Sequence, residues 1–248
     1  MKLSTVIMAA GKGKRMKNPD RSKVMFELRG KPMIEYVIEL SLKIDSELIV
    51  PIVGHQKQSV IDFLSTRFAD NIDRIKFAHQ DEQLGTGHAI MQTKEILKDF
   101  DGNVLILSGD VPLLKYETVM EFIKYHSGNG FRASLLSAIF DDPFGYGRII
   151  RKDDGTFVDI VEEKDADEAQ KKIKEINSGI YIVDNKILFE ALTTIKTDNA
   201  QGEYYLTDIF KYFRDRSVKI GAVPVGNNAE ITGVNTIEQL TELEKLIL

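Results

Sequence analysis

The sequence predicts an α/β fold, a mainly parallel mixed sheet flanked by helices and carrying an α+β elaboration. Three observations predict it. Apolar, β-branched runs alternate with stretches of helical periodicity, the pattern of βαβ units. The first run, Val6-Ile7-Met8-Ala9-Ala10, breaks directly into a glycine-rich basic loop, Gly11-Lys12-Gly13-Lys14-Arg15-Met16. After about residue 130 the texture changes to closely spaced short strands.

In chain order, residues 3–9 read as the first strand. Pro32 suits the first position of a helix, where its missing N–H costs nothing, and Met33, Val37, Leu40 and Ile44 recur at helical spacing. Residues 48–53 read as a second strand, 56–68 as a helix around Val60, Phe63 and Leu64, and 75–79 as a short strand. A helix over 86–99 precedes a buried strand, Asn103–Leu107, that ends at Ser108-Gly109-Asp110; residues 116–126 are helical again. Short strands follow near 132–140, 147–151, 156–162 and 176–183, with Asp153-Asp154-Gly155 as a hairpin turn between two of them. Thr207–Phe213 reads as a helix and Val218–Val225 as a returning strand. From Thr236 the tail is amphipathic, with Leu240, Leu243 and Ile247 on one face. No linker composition interrupts the chain, so residues 1–235 read as one domain and 236–248 as its C-terminal helix.

Composition narrows the function. The 248 residues carry a net charge of −5, and the pI is near 5.5, against the broad basic face of a nucleic-acid binder. There are no cysteines, so disulfides, thiolate metal sites and cysteine nucleophiles are excluded; four scattered histidines argue against a histidine-rich zinc site. No apolar stretch approaches the ~20 residues of a membrane span, and no signal-peptide pattern opens the chain, so the expectation is a cytoplasmic protein with no membrane partner. Against this acidic background, residues 11–31 hold eight Lys/Arg and two Asp/Glu, a local balance of +6. That focus suits a small anion.

Four constellations carry chemistry. The first is strand–G-x-G-x-R-M–x6–K, ending at Lys23. Glycines expose backbone N–H groups to anionic oxygens, and arginine grips two oxygens at once. It is neither a dinucleotide fingerprint, since Met16 replaces the third glycine, nor a P-loop, which needs a second glycine followed by Lys-Ser/Thr. A solvated surface turn is the bland alternative. The second is Asp110, at the carboxyl end of a buried strand, where open sheets bind ligands and where a carboxylate suits Mg2+; a turn-initiating Asp before Pro112 is its alternative. The third is Gln83-Leu84-Gly85-Thr86-Gly87-His88-Ala89 at a helix start, with Gln80 upstream offering an amide to a uracil edge. Thr86 as a plain helix cap competes with that reading. The fourth is Gly233-Val234-Asn235, where Asn235 with Glu238 three residues on also reads as a cap.

Together these residues resemble the sugar-nucleotide pyrophosphorylases, most closely the uridyltransferase domain of bacterial N-acetylglucosamine-1-phosphate uridyltransferase. The resemblance runs from about Thr5 to Asn235 on the blocks AAGKGKRM, QLGTGHA, GDVPL, GYGRI with VEEKDA, INSGIY, and NAQGEYYLTD followed by GVN. It implies a Rossmann-like nucleotidyltransferase fold and Mg2+-dependent uridylyl transfer from UTP to a hexosamine 1-phosphate. By similarity, Gly11, Gly13 and Arg15 hold the triphosphate and Lys23 contacts the reacting phosphates. Gln80 and the backbone of Gly85 read uracil, and Ala10 and Thr86 also belong to the nucleotide site. Gly147, Glu162, Asn177, Tyr205 and Thr207 contact the sugar, and Asp110 with Asn235 binds the metal. The chain departs from the family in three places: Ser22 stands where proline is usual, Ser108 replaces an aromatic residue, and the loop to Lys23 is one residue longer. Bifunctional members continue into a left-handed β-helix with acetyltransferase activity; no such hexapeptide repeat is present here, so that activity is not implied. Two alternatives stay open: a transferase using glucose 1-phosphate or another nucleotide, and a non-catalytic nucleotide-sugar sensor.

Overall fold

A computed structural model describes residues 1–16, 18 and 20–246. The predicted Ile247 position in the terminal helix lies outside the described residues. Strand β1 (Leu3–Ala9) leads through the glycine-rich loop to a small hairpin of β2 (Glu27–Leu28) and β3 (Lys31–Pro32). Then come α1 (Met33–Lys43), β4 (Leu48–Val53), α2 (Lys57–Arg67), β5 (Ala78–His79), α3 (Thr86–Met91), α4 (Lys94–Leu97), β6 (Asn103–Ser108) and α5 (Tyr116–Gly128). The second half holds β7 (Ala133–Ile139), β8 (Arg148–Arg151), β9 (Phe157–Val161), β10 (Glu175–Asp184), α6 (Asn185–Leu192), α7 (Asp208–Asp215), β11 (Ile220–Pro224) and α8 (Ile237–Leu246).

The sheet order is β11-β7-β10-β6-β1-β4-β5. β1 pairs in parallel with both β4 and β6, whereas β10 runs antiparallel to β6 and β7. The β8–β9 hairpin branches from β10 at Ile176↔Arg148. Chain order reverses around β1, so a crevice opens outside the carboxyl ends of β1 and β6. Strand residues alternate between two apolar layers: Ile7, Leu105 and Leu107 pack with Val37, Ile38, Val60 and Phe122, while Val6, Val104 and Ile106 pack with Ile90, Leu188 and Phe210. A third cluster joins Met16, Phe26, Leu28 and Met33 to Val234, Leu240 and Leu243, so α8 braces the glycine-rich loop.

Most predicted elements are present, with four differences. Pro32 sits one residue before α1, as the last residue of β3. The single helix expected over 86–99 divides into α3 and α4, because the Thr93 hydroxyl donates to the Ile90 carbonyl at 2.8 Å and tightens the chain there. Helix α6 and the β2–β3 hairpin were not expected; α6 follows β10 without a loop, its first turn capped by the Asp184 carboxylate accepting from Ile187 N–H at 3.1 Å. The Asp153-Asp154-Gly155 turn forms as expected, with Gly155 at φ +83°. Among the described residues no helix is long and apolar enough to cross a membrane.

Candidate active site

The end of β1 places Ala10 and Gly11 at the crevice. The loop then turns at Gly13, whose φ is +56°; a Cβ there would lie 2.8 Å from Cβ of Lys23, so only glycine lets the two segments touch. The Gly13 carbonyl accepts from Met16 N–H at 2.8 Å, and buried Met16 anchors the loop in the third apolar cluster. This aims Arg15 back over the crevice, where its Nη2 donates to Asn235 Oδ1 at 2.9 Å. Lys23 Nζ donates to the same oxygen at 2.7 Å and forms an ion pair with Asp110 Oδ2. Asp110 is carried by the end of β6, and its carbonyl accepts from Val234 N–H at 3.0 Å, which holds the Gly233–Asn235 stretch alongside. Arg15, Lys23, Asp110 and Asn235 therefore form one cluster.

Asn235 does not cap α8, contrary to its local pattern. The cap is Thr236: its Oγ1 accepts from Gln239 N–H at 3.2 Å, while Gln239 Oε1 accepts from the N–H groups of Asn235 (2.7 Å) and Thr236 (3.2 Å). Capping is thus shifted by one residue from the Asn235/Glu238 pair, and the Asn235 side chain is free to face the cations. Two hard oxygens, from Asp110 and Asn235, converge on one ammonium. Such a donor pair fits Mg2+, which takes one or two protein oxygens together with phosphate and water; among the described residues no set of three or more His, Asp or Glu gathers for a metal held by protein alone.

Beside this cluster lies a cavity of about 290 Å³ lined by Ala10, Gly11, Lys23, Gln80, Gly85, Thr86 and Asp110. Gln80, 4% exposed, is fixed at the end of β5 by its N–H to the Val53 carbonyl at 2.8 Å. Its Nε2 donates to Gly85 O at 3.1 Å, so the donor half of the amide already has a protein partner. Gly85 has φ +117°, and a Cβ there would stand 2.5 Å from Tyr204 O. Tyr204 N–H donates to Leu84 O (2.8 Å) and Gly87 N–H to Tyr204 O (2.7 Å), so the QGEYYLTD block braces the QLGTGHA block. Thr86 is not the helix cap; Gly85 occupies that place, and the Thr86 hydroxyl accepts from Leu206 N–H at 3.0 Å. A larger surface cavity, about 440 Å³ between residues 194–198 and α7, contains none of the predicted residues.

The predicted sugar contacts gather at the β8–β9 end of β10. Thr207 Oγ1 donates to Glu162 Oε1 at 3.0 Å, and a Cβ on Gly147 would lie 3.3 Å from Glu162 Oε2. Burial raises the Glu162 pKa, opposed by the Thr207 hydroxyl and reinforced by Asp165 and Asp208. Asn177 N–H donates to Gly147 O at 2.8 Å; its side-chain Nδ2 donates to the buried Tyr181 hydroxyl at 2.7 Å, and its Oδ1 accepts from Gly179 N–H at 3.2 Å. The β10–β7 register shifts just after Asn177, which pairs with Ser137, and resumes at Tyr181 opposite Leu135. Burial pushes the Tyr205 hydroxyl up to about 12, with Asp165 and Gln201 nearby. Tyr146 precedes Gly147; burial raises its pKa, Asp110 adding to the rise and Arg15 opposing it.

Sequence reasoning missed several participants. Arg148, almost wholly buried, pairs with Glu163 at 2.7 Å and donates to the Tyr146 carbonyl, tying the GYGRI and VEEKDA blocks together. Those blocks were the signal, but their mutual pairing was not legible in either one. Tyr181, His88 and the cavity residue Glu203 were also unassigned.

Residues 4–226 match the family described as Nucleotidyl transferase. The bifunctional protein GlmU of Caldanaerobacter subterraneus subsp. tengcongensis is 48% identical over 245 residues, 99% of this chain and 51% of the relative. The protein of the same name from Streptococcus uberis is 44% identical over 242 residues, 98% of this chain and 51% of that one. The chain thus spans about half the length of the curated relatives it matches. A structure described as a glucose-1-phosphate thymidylyltransferase from Bacillus anthracis, in complex with sucrose, superposes with a TM-score of 0.76 at 19% identity, covering 98% of this chain and 94% of that one. A UDP-glucose pyrophosphorylase complexed with UDP-glucose gives a TM-score of 0.79 at 18% identity, covering 100% and 98%. Both likenesses establish the Rossmann-like nucleotidyltransferase fold.

Proposed function

Because the chain belongs to the nucleotidyl transferase family, we propose that it transfers the uridylyl group of UTP to N-acetylglucosamine 1-phosphate, giving UDP-N-acetylglucosamine and pyrophosphate. The observation that carries this is the cluster of Arg15, Lys23, Asp110 and Asn235, set beside the Gln80–Gly85 cavity. The choice of uracil and of an N-acetylated sugar is supported by the QLGTGHA, GYGRI and QGEYYLTD blocks. Residues 1–235 would be the transferase unit, with the helix after them as its brace. A nucleoside triphosphate substrate places the reaction in the cytoplasm.

A sugar-phosphate oxygen attacks the α-phosphorus of UTP; the new O–P bond forms as the bond to pyrophosphate breaks. The nucleophile is already an anion, so no strong general base is required, and the task is to hold two anions together and stabilise growing charge. Lys23 neutralises the α-phosphoryl oxygens, and Arg15 holds the leaving pyrophosphate. Gly11 and Gly13 let backbone N–H groups approach the triphosphate. Asp110 and Asn235 would hold Mg2+, which when bound screens phosphate charge. Asn177, oriented by Tyr181 and Gly179, faces the sugar with Glu162 and Thr207.

The test is pyrophosphate release with UTP and Mg2+ on N-acetylglucosamine 1-phosphate, glucose 1-phosphate, glucosamine 1-phosphate and N-acetylgalactosamine 1-phosphate. Strong turnover confined to the first is expected. Preference for glucose 1-phosphate would reassign the sugar, and binding of UTP with no turnover on any sugar would refute an enzymatic role.

A further inference from the structure

Two groups hold the side-chain amide of Gln80, and their chemistry fixes which way round it sits. Nε2 lies 3.1 Å from the Gly85 carbonyl oxygen, and a carbonyl only accepts, so the NH2 end must face it. The other amide hydrogen is directed at Nδ1 of His88, 3.2 Å away. Nδ1 is therefore the acceptor for Gln80, while across the ring the Gln92 amide nitrogen donates to the His88 carbonyl at 2.9 Å and lies 3.1 Å from Nε2. Both amide hydrogens of Gln80 are engaged within the protein, which leaves Oε1 as the atom this side chain offers the cavity it lines. The His88 ring is itself held, stacked on Tyr204 with centroids 6.3 Å apart and planes at 30°. Tyr204 is the residue whose backbone clamps Leu84 and Gly87.

A fixed acceptor discriminates between pyrimidine edges. Position 3 of uracil is an N–H donor, whereas N3 of cytosine is an acceptor that a carbonyl oxygen repels. A freely turning amide would suit either base. We propose that His88 is a positioning residue for base selection: by accepting from Gln80 Nε2 it locks the amide with Oε1 toward the base and restricts the site to a uracil-type edge. This rests on the uridylyl reading above. Without an acceptor at His88, the Gly85 carbonyl is the remaining partner of the amide among the described residues.

The test measures kcat/KM for UTP and for CTP in wild type, His88→Phe and His88→Asn, with calorimetric binding of both nucleotides as a readout free of turnover. Phenylalanine keeps a ring against Tyr204 and deletes the acceptor; asparagine returns an acceptor oxygen near the Nδ1 position. The preference for UTP over CTP should fall about tenfold in His88→Phe, the scale of one lost hydrogen bond, and return in His88→Asn, while KM for the sugar 1-phosphate stays near wild type. If His88→Phe slows both nucleotides equally and keeps the preference, the positioning role is overturned. Loss of preference in a folded His88→Asn overturns it too, and that arm stands even where His88→Phe fails to fold. A wild type with no preference for UTP overturns the uridylyl reading itself, and this proposal with it.

Discussion

His126 carries a titration whose size follows from its surroundings. The ring, on α5, is 2% exposed. Its Nε2–H donates to Asn103 Oδ1 at 3.2 Å and its Nδ1 accepts from the Ser134 hydroxyl at 2.9 Å, so the neutral form satisfies both nitrogens. Burial lowers its pKa from 6.5 to about 4, with Asp184 pulling the other way. Below pH 6.5 the unfolded chain takes up a proton that the folded chain refuses. This contribution is therefore complete above pH 6.5 and is lost as pH falls toward 4. At pH 5 the unfolded ring is almost wholly charged and the folded ring mostly neutral, a difference of about 2 kcal/mol. Urea unfolding at pH 8 and pH 5 measures it when wild type is compared with His126→Asn, which keeps a polar group near Ser134 but cannot titrate. Wild type should lose about 2 kcal/mol more than the variant between the two conditions. Equal losses would refute the claim that a buried neutral imidazole stores this energy.

Two further predictions concern the site and its approach loop. Asp110→Ala should abolish Mg2+-dependent pyrophosphate release while the melting temperature stays close to wild type; near-normal turnover at ordinary Mg2+ would disprove the metal assignment. Ser22 is fully buried with φ −59°, already the proline value, and among the described residues its hydroxyl has no hydrogen-bond partner. Ser22→Pro should stabilise the fold by about 0.5–1 kcal/mol, seen as a higher melting temperature with unchanged turnover; a lower one would show that the Ser22 N–H is needed.

The fold was legible where local chemistry decides it. The unbroken apolar runs Val6–Ala10 and Val104–Leu107 mark strands with two buried faces, and Asp153-Asp154-Gly155 marks a turn because glycine tolerates the left-handed backbone there. Contacts between distant segments were not legible. The Asn235/Glu238 pattern is a sound cap locally, yet Thr236 with Gln239 wins, which frees Asn235 for Lys23 and Arg15. Thr86 likewise meets Leu206, 120 residues away, instead of its own helix. Arg148 and Glu163 belong to the GYGRI and VEEKDA blocks, which were read together, but that these two side chains pair is visible only in the fold. Helix α6 does carry a start signal, Asp184 before Asn185 between Val183 and Ile187, but it follows β10 with no loop to set it apart.

The contact between Asn235 and Lys23 joins residues 212 positions apart. At a synthesis rate of ~5–20 residues per second, the later partner emerges from the ribosome roughly 10–40 s after the earlier one. During that interval β1, β4, β5 and β6 are all available to pair, and Lys23 can meet Asp110, but Arg15 has no Asn235 to hold it and Met16 has no α8 to rest on. The nascent chain can thus bury most of its sheet while the Arg15–Lys23–Asn235 cluster is still unassembled. On the proposed function, a chain stalled before Asn235 would have a formed sheet and be catalytically silent.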